Sequence, residues 1–95
     1  MDYLYVLIIV ANINLQENHI DHAPYAEVNS AFNNIHECNG KITEMHDYYL
    51  AKDIRRKSNK KRNPKFIRDV NNNKILKYRH NNTYFFASCK KVLEN

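Results

Sequence analysis

The longest apolar segment of the chain, residues 4–11 (LYVLIIVA), constrains the fold more than any other feature. Its β-branched and aromatic side chains favour a strand. The segment is too short to cross a membrane as a helix. No basic residue precedes it and no small-residue cleavage pattern follows it, so it does not have the parts of a secretory signal. We therefore predict a strand over residues 3–10 that is buried on both faces.

The length of 95 residues is enough for one small domain with a thin core. We expect residues 1–95 to form a single α+β domain, a small two-layer structure with N-terminal strands, an Asn-Gly hairpin and two short helices. Asn39-Gly40 predicts the hairpin, because both residue types tolerate the positive φ of a tight turn. Residues 12–20 fit a second strand or an extended edge, and residues 25–37 fit either a helix or a bulged strand.

Polar residues mark the starts of the two expected helices. Asp47 is predicted to cap the first, which runs to about Arg56. Asn63-Pro64 predicts the start of the second, because Asn caps helices and Pro is tolerated in the first turn. The side chains expected to be buried along the second helix are Phe66, Ile67 and Val70.

Two late apolar clusters, at residues 75–78 and 84–86, predict a strand pair around a polar turn at residues 80–82. The last residues are expected to be frayed. The aromatic triplet Tyr84-Phe85-Phe86 fits either stacking on unpaired bases or burial in the core, and burial is the commoner outcome.

Charge divides the chain into two unlike halves. Residues 1–54 carry two Lys and eight Asp or Glu, a net charge of −6, whereas residues 55–95 carry thirteen Lys or Arg and two acids, a net charge of +11. Such asymmetry indicates two partners or one composite partner, and a basic half fits a polyanion. We expect an acidic, strand-rich half that contacts protein and a basic half, with a short C-terminal tail, that faces RNA.

The densest cationic stretch lies between residues 52 and 68 and contains one acid, Asp53. Cations on phosphates displace condensed counterions, which gives salt-sensitive affinity with little sequence preference. A solvated surface is the alternative interpretation. If Arg55 and Arg56 were helical they would point about 100° apart, so one could reach RNA while the other pairs with an acid such as Asp53 or Glu44 or with a partner protein. The predicted RNA-binding residues are Lys52, Arg55, Arg56, Lys57, Lys60, Lys61, Arg62, Lys65 and Arg68.

The cysteine and histidine residues do not form a recognisable metal-binding or catalytic motif. The set His19, His22, His36 and Cys38 has loose spacing for zinc, so we predict no metal and no cofactor. Cys38 near His36 has no third orienting residue and no oxyanion segment beside it, so we predict that the protein is not an enzyme. Cys38 and Cys89 make one disulfide conceivable, but a reducing compartment is the simpler interpretation.

Four short motifs occur in the order in which one protein family carries them: Leu4-Tyr5-Val6, Asp21-His22-Ala23, Asn39-Gly40 and Ile54-Arg55-Arg56. By their order and spacing, residues 3–76 resemble a divergent form of the eukaryote-specific small-subunit ribosomal protein numbered twenty-one. The chain departs from that family at residues 7–10, where LIIV replaces Pro-Arg-Lys-Cys. It departs again at residues 57–61, where a basic segment replaces an acidic one, and residues 77–95 have no counterpart.

The resemblance implies a structural constituent of the small (40S) ribosomal subunit. Such a protein binds small-subunit ribosomal RNA and neighbouring ribosomal proteins, and contributes to translation and to maturation of that RNA. It would lie in the cytoplasm, with assembly steps in the nucleus, and we expect no membrane and no small-molecule substrate. The residues expected to contact a partner protein are Leu4, Tyr5, Val6, Asp21, His22 and Ala23.

Two other functions also fit the sequence. A small winged-helix regulator would use residues 47–56 and 64–71 as its helix pair and residues 75–86 as its wing, and would bind one duplex sequence with high specificity. A small viral or host-targeting protein would bind only protein and show no salt-dependent affinity for nucleic acid.

Overall fold

A computed structural model describes residues 3–12, 25–81 and 83–93, which form an α+β fold of one five-stranded antiparallel sheet and one α-helix. The elements in chain order are β1 (Tyr3–Asn12), β2 (Tyr25–Phe32), α1 (Ile35–Asp53), a 3-10 turn (Ser58–Lys60), β3 (Lys65–Arg68), β4 (Lys74–His80) and β5 (Thr83–Leu93). Within these residues, α1 is not long and apolar enough to cross a membrane.

The sheet has the strand order β2-β1-β5-β4-β3, and each neighbouring pair is antiparallel. The apolar run at residues 4–11 forms β1, an interior strand between β2 and β5, which confirms the predicted strand. Burial on both faces is wrong, because one face is only half-buried along Leu4, Val6, Ile8 and Val10. The late strand pair is confirmed as β4 and β5, and β5 extends to Leu93 beside Tyr3. The frayed end expected for the last residues is therefore limited to residues 94–95, which lie outside the described residues. The second strand expected over residues 12–20 falls almost entirely outside the described residues.

Helix α1 covers one face of the sheet and closes the core. Alternation along β1 directs Leu7, Ile9 and Ala11 inward, where all three are buried. They share this face with Leu76 and Ala87 of the neighbouring strands, and buried side chains of α1 pack against them. A disulfide between Cys38 and Cys89 joins α1 to β5, with 6.0 Å between their Cα atoms.

The Asn-Gly hairpin is wrong, because Asn39 and Gly40 lie inside α1. Residues 38, 42, 45 and 49 of that segment are Cys, Ile, Met and Tyr, and all pack in the core at helical spacing. Asn34 caps the helix, since its Oδ1 accepts a 2.9 Å hydrogen bond from Glu37 N. The cap predicted at Asp47 is therefore also wrong, and the helix ends at Asp53 rather than at Arg56.

The second predicted helix is wrong as well, because residues 65–68 form the edge strand β3. Phe66 and Ile67 pair with Leu76 and Ile75 of β4 and therefore point to opposite faces of the sheet. Phe66 is 38% exposed and Val70 is 100% exposed, so they do not form a buried stripe. The winged-helix alternative loses the recognition helix on which it depended.

Residues 25–37, which the sequence left open between helix and bulged strand, contain β2. Its pairing with β1 shifts between Leu7 and Ile8, whose partners are Ser30 and Val28, so Asn29 is the extra residue of a bulge. The helix begins only after Asn34.

Asparagine takes the place of glycine in the turns of the described chain. Asn63, Asn72 and Asn81 have φ values of 46°, 65° and 56°, in the left-handed region. They lie before β3, between β3 and β4, and between β4 and β5. The single glycine of the chain, Gly40, is helical.

Candidate nucleic-acid interface

The cationic segment predicted from sequence forms the connection between α1 and β3, residues 54–64, which we call the basic loop. It runs along the end of the sheet at which β4 finishes. There Arg79 N of β4 donates a 2.8 Å hydrogen bond to the carbonyl oxygen of Arg62. The loop, the last turn of α1 and the end of β4 therefore lie together.

A buried carboxylate holds the basic loop in place. Asp53 Oδ1 accepts a hydrogen bond from Arg62 N and Asp53 Oδ2 accepts one from Asn63 N, both at 2.8 Å. Arg56 Nη1 lies 3.6 Å from Asp53 Oδ1, so Asp53 binds residues at both ends of the loop. Asp53 is 6% exposed. Hydrogen bonds to a buried charge are worth about 1.5–3 kcal/mol each, so this carboxylate fixes the path of the loop backbone.

Four predicted RNA-binding side chains, Lys52, Arg55, Lys57 and Lys60, are exposed around this braced segment. Within the described part of the chain, none of the four forms an ion pair with a carboxylate. Arg56 differs from them, because it is half-buried and faces Asp53. Of the two arginines, Arg56 is the one beside Asp53, whereas contact of Arg55 with RNA stays a prediction. Both residues follow the helix rather than extend it.

Arg62 is the most constrained cation of the loop. Its guanidinium lies over the Tyr49 ring, 4.8 Å from the centroid, and Tyr49 in turn packs against Tyr78, with 4.8 Å between the ring centroids. Its Nε is buried and has no hydrogen-bond partner among the described residues. Because Arg62 stacks on Tyr49, and Tyr49 itself packs against Tyr78, the guanidinium is restricted to one position.

A cavity of about 210 Å³ opens beside Arg62, where the loop meets β3 and β4. Lys65 of β3 lies directly opposite Lys77 of β4 in the sheet register. Arg79 lies two residues beyond Lys77, on the same face of the sheet. No acidic residue is found among the described residues that line the cavity. The lining residues are Arg62, Asn63, Lys65, Lys77, Tyr78, Arg79 and Tyr84.

The structure brings together only part of the predicted RNA-binding set. Arg62 and Lys65 line the cavity, and Lys61 is half-buried beside them in sequence. Arg68 is separate, because it ends β3 and its Nη1 donates a 3.4 Å hydrogen bond to Asn72 O in the next turn.

The predicted RNA-binding set did not include Lys77 and Arg79, and Tyr84 was weighed only as part of an aromatic triplet that fits base stacking or burial. The signal was available in the period of two: in a strand, residues 77 and 79 share one face. Tyr84 pairs with Arg79 across β4 and β5, and Lys77 Nζ lies 5.2 Å from the centroid of the Tyr84 ring. Of the aromatic triplet, Phe86 is buried and Phe85 packs against the core, which confirms burial for these two, whereas Tyr84 is half-buried at the cavity.

Of the predicted partner-protein contacts, the structure describes Leu4, Tyr5 and Val6, which lie on two faces of the sheet. Tyr5 packs against the core on the α1 side of the sheet, and alternation places Leu4 and Val6 on the opposite face. Asp21, His22 and Ala23 lie outside the described residues. Contact between these residues and a partner stays a prediction.

The loose metal set is not assembled in the described residues. No group of three potential ligands occurs among them. His36 is exposed, and Cys38 is bonded to Cys89 and so has no thiolate for zinc. His19 and His22 lie outside the described residues.

Comparison of the chain with protein-family models, with curated proteins and with solved structures gives no match. The resemblance to the ribosomal family stays a prediction. The basic loop and the adjoining cavity are therefore the features from which a function can be inferred.

Proposed function

We propose that this is a non-enzymatic RNA-binding protein whose basic loop contacts the RNA backbone. The observation that carries the proposal is the geometry of Asp53, which fixes the loop backbone through Arg62 N and Asn63 N while the neighbouring cations remain exposed. A loop that is already ordered loses less conformational entropy when a ligand binds. Several exposed cations at fixed spacing then supply contacts to successive phosphates.

RNA fits this surface better than duplex DNA. Readers of the DNA major groove insert a helix or a two-stranded ribbon. In the described part of the chain the only α-helix packs its apolar face on the sheet, and the cations concentrate in a loop and in a cavity that Tyr84 lines. Basic grooves with nearby aromatic rings are typical of proteins that bind single-stranded RNA.

The proposal is tested by measuring the affinity for a short unstructured RNA by fluorescence anisotropy. The double variant Lys57→Gln/Lys60→Gln removes two exposed loop cations and should bind about tenfold more weakly or worse, since charge-assisted hydrogen bonds are lost. The matched control is Lys41→Gln/Lys90→Gln, which removes the same charge from exposed positions on α1 and β5. Equal losses in the two variants would show that only net charge matters and would contradict the role of the loop.

The specific particle that we propose is the small ribosomal subunit, in the cytoplasm, with its RNA and neighbouring proteins as partners. The sequence resemblance supports this proposal. The tagged protein should sediment stoichiometrically with small subunits from its native lysate at low and moderate salt. Its persistence at the top of the gradient would reject the ribosomal assignment and leave the RNA-binding test to be judged by itself.

The oxidation state of the two cysteines provides a separate test of the cellular location. A disulfide favours an oxidising environment, whereas the cytosol keeps most thiols reduced. Alkylation of the protein in freshly opened cells shows which state occurs. Free Cys38 and Cys89 would support the cytoplasmic proposal, and protected cysteines would count against it.

A further inference from the structure

We propose that Tyr48, exposed on α1, stacks on an unpaired base of the RNA whose phosphates the basic loop contacts. The inference rests on the proposed function and narrows the ligand to RNA with single-stranded nucleotides. Three features of the Tyr48 ring support it: its exposure to solvent, its attachment to a neighbouring ring of the core, and the charges that follow it along the chain.

Tyr48 is a large aromatic side chain that the fold leaves in solvent. It is 57% exposed, whereas Tyr49, the next residue of α1, packs against the core. The difference follows from helical spacing, because Tyr49 continues the inward row of Cys38, Ile42 and Met45. A single exposed tyrosine is common on protein surfaces, so the surroundings of the ring decide its role.

The Tyr48 ring is attached to the same core tyrosine that positions Arg62. The Tyr48 and Tyr49 rings meet in a T-shaped arrangement, with 5.9 Å between their centroids and 66° between their planes. The Arg62 guanidinium lies over Tyr49, 4.8 Å from its centroid. An exposed ring and a cation of the basic loop are therefore held near each other through one shared residue. Such preorganisation reduces the entropy that is lost on binding.

Cations follow Tyr48 along the chain toward the basic loop. Lys52 lies one helical turn further, and its Nζ is 5.5 Å from the centroid of the Tyr48 ring. Arg55 comes next, in the turn after α1, where its N donates a 3.1 Å hydrogen bond to Lys52 O. Both side chains are exposed. A base stacked on Tyr48 would thus have cations beside its phosphates, the combination that proteins use to bind single strands.

The charges that precede Tyr48 are different. Residues 41–47 carry one Lys and two acids, a net charge of −1 with the histidine neutral. Glu44 Oε2 lies 3.6 Å from Lys41 Nζ, so the lysine of this segment is already paired. The segment has no excess of positive charge to attract phosphates. An RNA strand stacked on Tyr48 should therefore continue toward the basic loop and not toward the start of α1.

The test compares a short unstructured RNA with an RNA of the same length that lacks the bases at its central nucleotides. Both have the same phosphates, so the ratio of their affinities isolates the contribution of the bases. We expect wild-type protein to bind the complete RNA about tenfold more tightly, the scale of one base stacked on an aromatic side chain. Tyr48→Ala should bring this ratio close to one, whereas Tyr48→Phe keeps the ring and should preserve the ratio.

Tyr3 provides the matched control, because it is also an exposed tyrosine with a lysine over its ring. It is 49% exposed, and Lys91 Nζ lies 3.9 Å from its ring centroid. It pairs with Leu93 at the end of β5, whereas Arg79, which is hydrogen-bonded to the basic loop, pairs near the start of β5. Tyr3→Ala should therefore leave the ratio unchanged. An equal fall of the ratio in Tyr3→Ala and Tyr48→Ala would overturn the inference.

Folding is controlled by stability and by a second readout that keeps an aromatic ring. Tyr48→Ala should melt near the wild-type temperature, because the position is exposed and alanine favours a helix. The chain has no tryptophan, so Tyr48→Trp places a single indole at the proposed stack. The complete RNA should change the indole emission of Tyr48→Trp more than the base-free RNA does, and neither RNA should change that of Tyr3→Trp. An equal response of Tyr48→Trp to both RNAs, or no response, would overturn the inference.

The inference and the proposed function fail in different ways. Salt-sensitive binding with equal affinity for the complete and the base-free RNA would overturn stacking and leave the contact of the basic loop with phosphates intact. Absence of salt-sensitive binding to either RNA would overturn the proposed function and the inference with it. The exposed side chains of Leu50 and Ile54 near Tyr48 would also suit a protein partner. A wild-type affinity ratio in Tyr48→Ala would favour such a partner for this surface and overturn the inference.

Discussion

Two aspartates organise the two connections that precede β3 and β4, and their surroundings differ. Asp53 is buried, and its carboxylate accepts hydrogen bonds from Arg62 N and Asn63 N of the basic loop. Asp69 lies in the turn at residues 69–73, where its Oδ1 accepts hydrogen bonds from Asn71 N at 2.9 Å and Asn73 N at 2.8 Å, in bonds exposed to solvent. In both connections an aspartate carboxylate accepts hydrogen bonds from backbone N–H groups. It orders a cationic loop in the first and an asparagine-rich turn in the second.

The two connections differ in how strongly they are coupled to the core. Asp53 ends a helix that a disulfide anchors to β5, so the position of its carboxylate depends on the packing of α1. Asp69 bonds within its own five-residue turn and depends on little beyond it. Substitutions in the core should therefore destabilise the basic loop and have little effect on the turn at residues 69–73.

The largest effect is expected from removing the disulfide. The two cysteines are 51 residues apart in sequence, so Cys38→Ala/Cys89→Ala should lower the free energy of unfolding by about 4 kcal/mol. As α1 loosens, the amides of Arg62 and Asn63 should exchange hydrogen faster, while those of Asn71 and Asn73 change less. An equal increase in hydrogen exchange rate in both segments would show that the two connections do not differ in their coupling to the core.

Replacing Asp53 should have the next largest effect. Asp53→Ala leaves two backbone donors and the half-buried Arg56 without their carboxylate, at a cost of about 3 kcal/mol in chemical denaturation. Asp53→Asn keeps side-chain hydrogen-bonding capacity without the charge and should lose less. If Asp53→Ala unfolds at the wild-type denaturant concentration, the loop is not braced by this residue.

A stabilising change of about 0.5–1 kcal/mol is expected from Gly40→Ala. Gly40 is helical and exposed, and a Cβ built there meets no atom within 4 Å. Alanine favours a helix over glycine because the unfolded chain has less conformational freedom to lose. The thermal midpoint should therefore rise. A lower midpoint would favour the hairpin turn predicted from Asn39-Gly40 over the helix that carries Asp53.

The smallest effect is expected at Asp69, and it depends on pH. Hydrogen bonds from Asn73 and Asn71 lower the pKa of Asp69 below its usual value of 3.8, with the Asn73 backbone bond as the main cause. The lowered pKa means that this carboxylate stabilises the fold above about pH 3.8 and that the contribution is lost as pH falls through the folded-state pKa. Asp69→Asn should thus be less stable than wild type at neutral pH, and urea titrations should show the difference shrinking in acid.

Much of the sheet could be predicted from sequence because its strands carry strong local signals. The apolar run of β1 and the two late apolar clusters need no information from distant residues to be identified as strands. The helix was misplaced because Asn39-Gly40 is a strong local turn signal. Packing of Ile42 and its neighbours against the sheet overrides that signal.

The candidate site was only half predictable for a related reason. The cations of residues 52–68 stand out as a run, so Arg62 and Lys65 were found, whereas Lys77 and Arg79 are separated by an inward-facing Tyr78. Their proximity to the loop depends on the pairing of β3 with β4, a long-range contact that the expected helix at Pro64 excluded. From the sequence, Asp53 could be identified only as a possible ion-pair partner of Arg55 or Arg56, because its hydrogen bonds to residues 62 and 63 are not local.

The most direct test of the RNA-binding proposal is the salt dependence of RNA affinity in two single variants, Lys60→Gln and Arg56→Gln. The variants remove one charge each from the same loop, but Lys60 is exposed and Arg56 faces Asp53. Loss of a phosphate contact should flatten the slope of log affinity against log salt by ~0.7 for single-stranded RNA. We predict this flattening in Lys60→Gln, and in Arg56→Gln a wild-type slope with reduced stability. A wild-type slope in Lys60→Gln would contradict the proposal that the braced loop binds RNA.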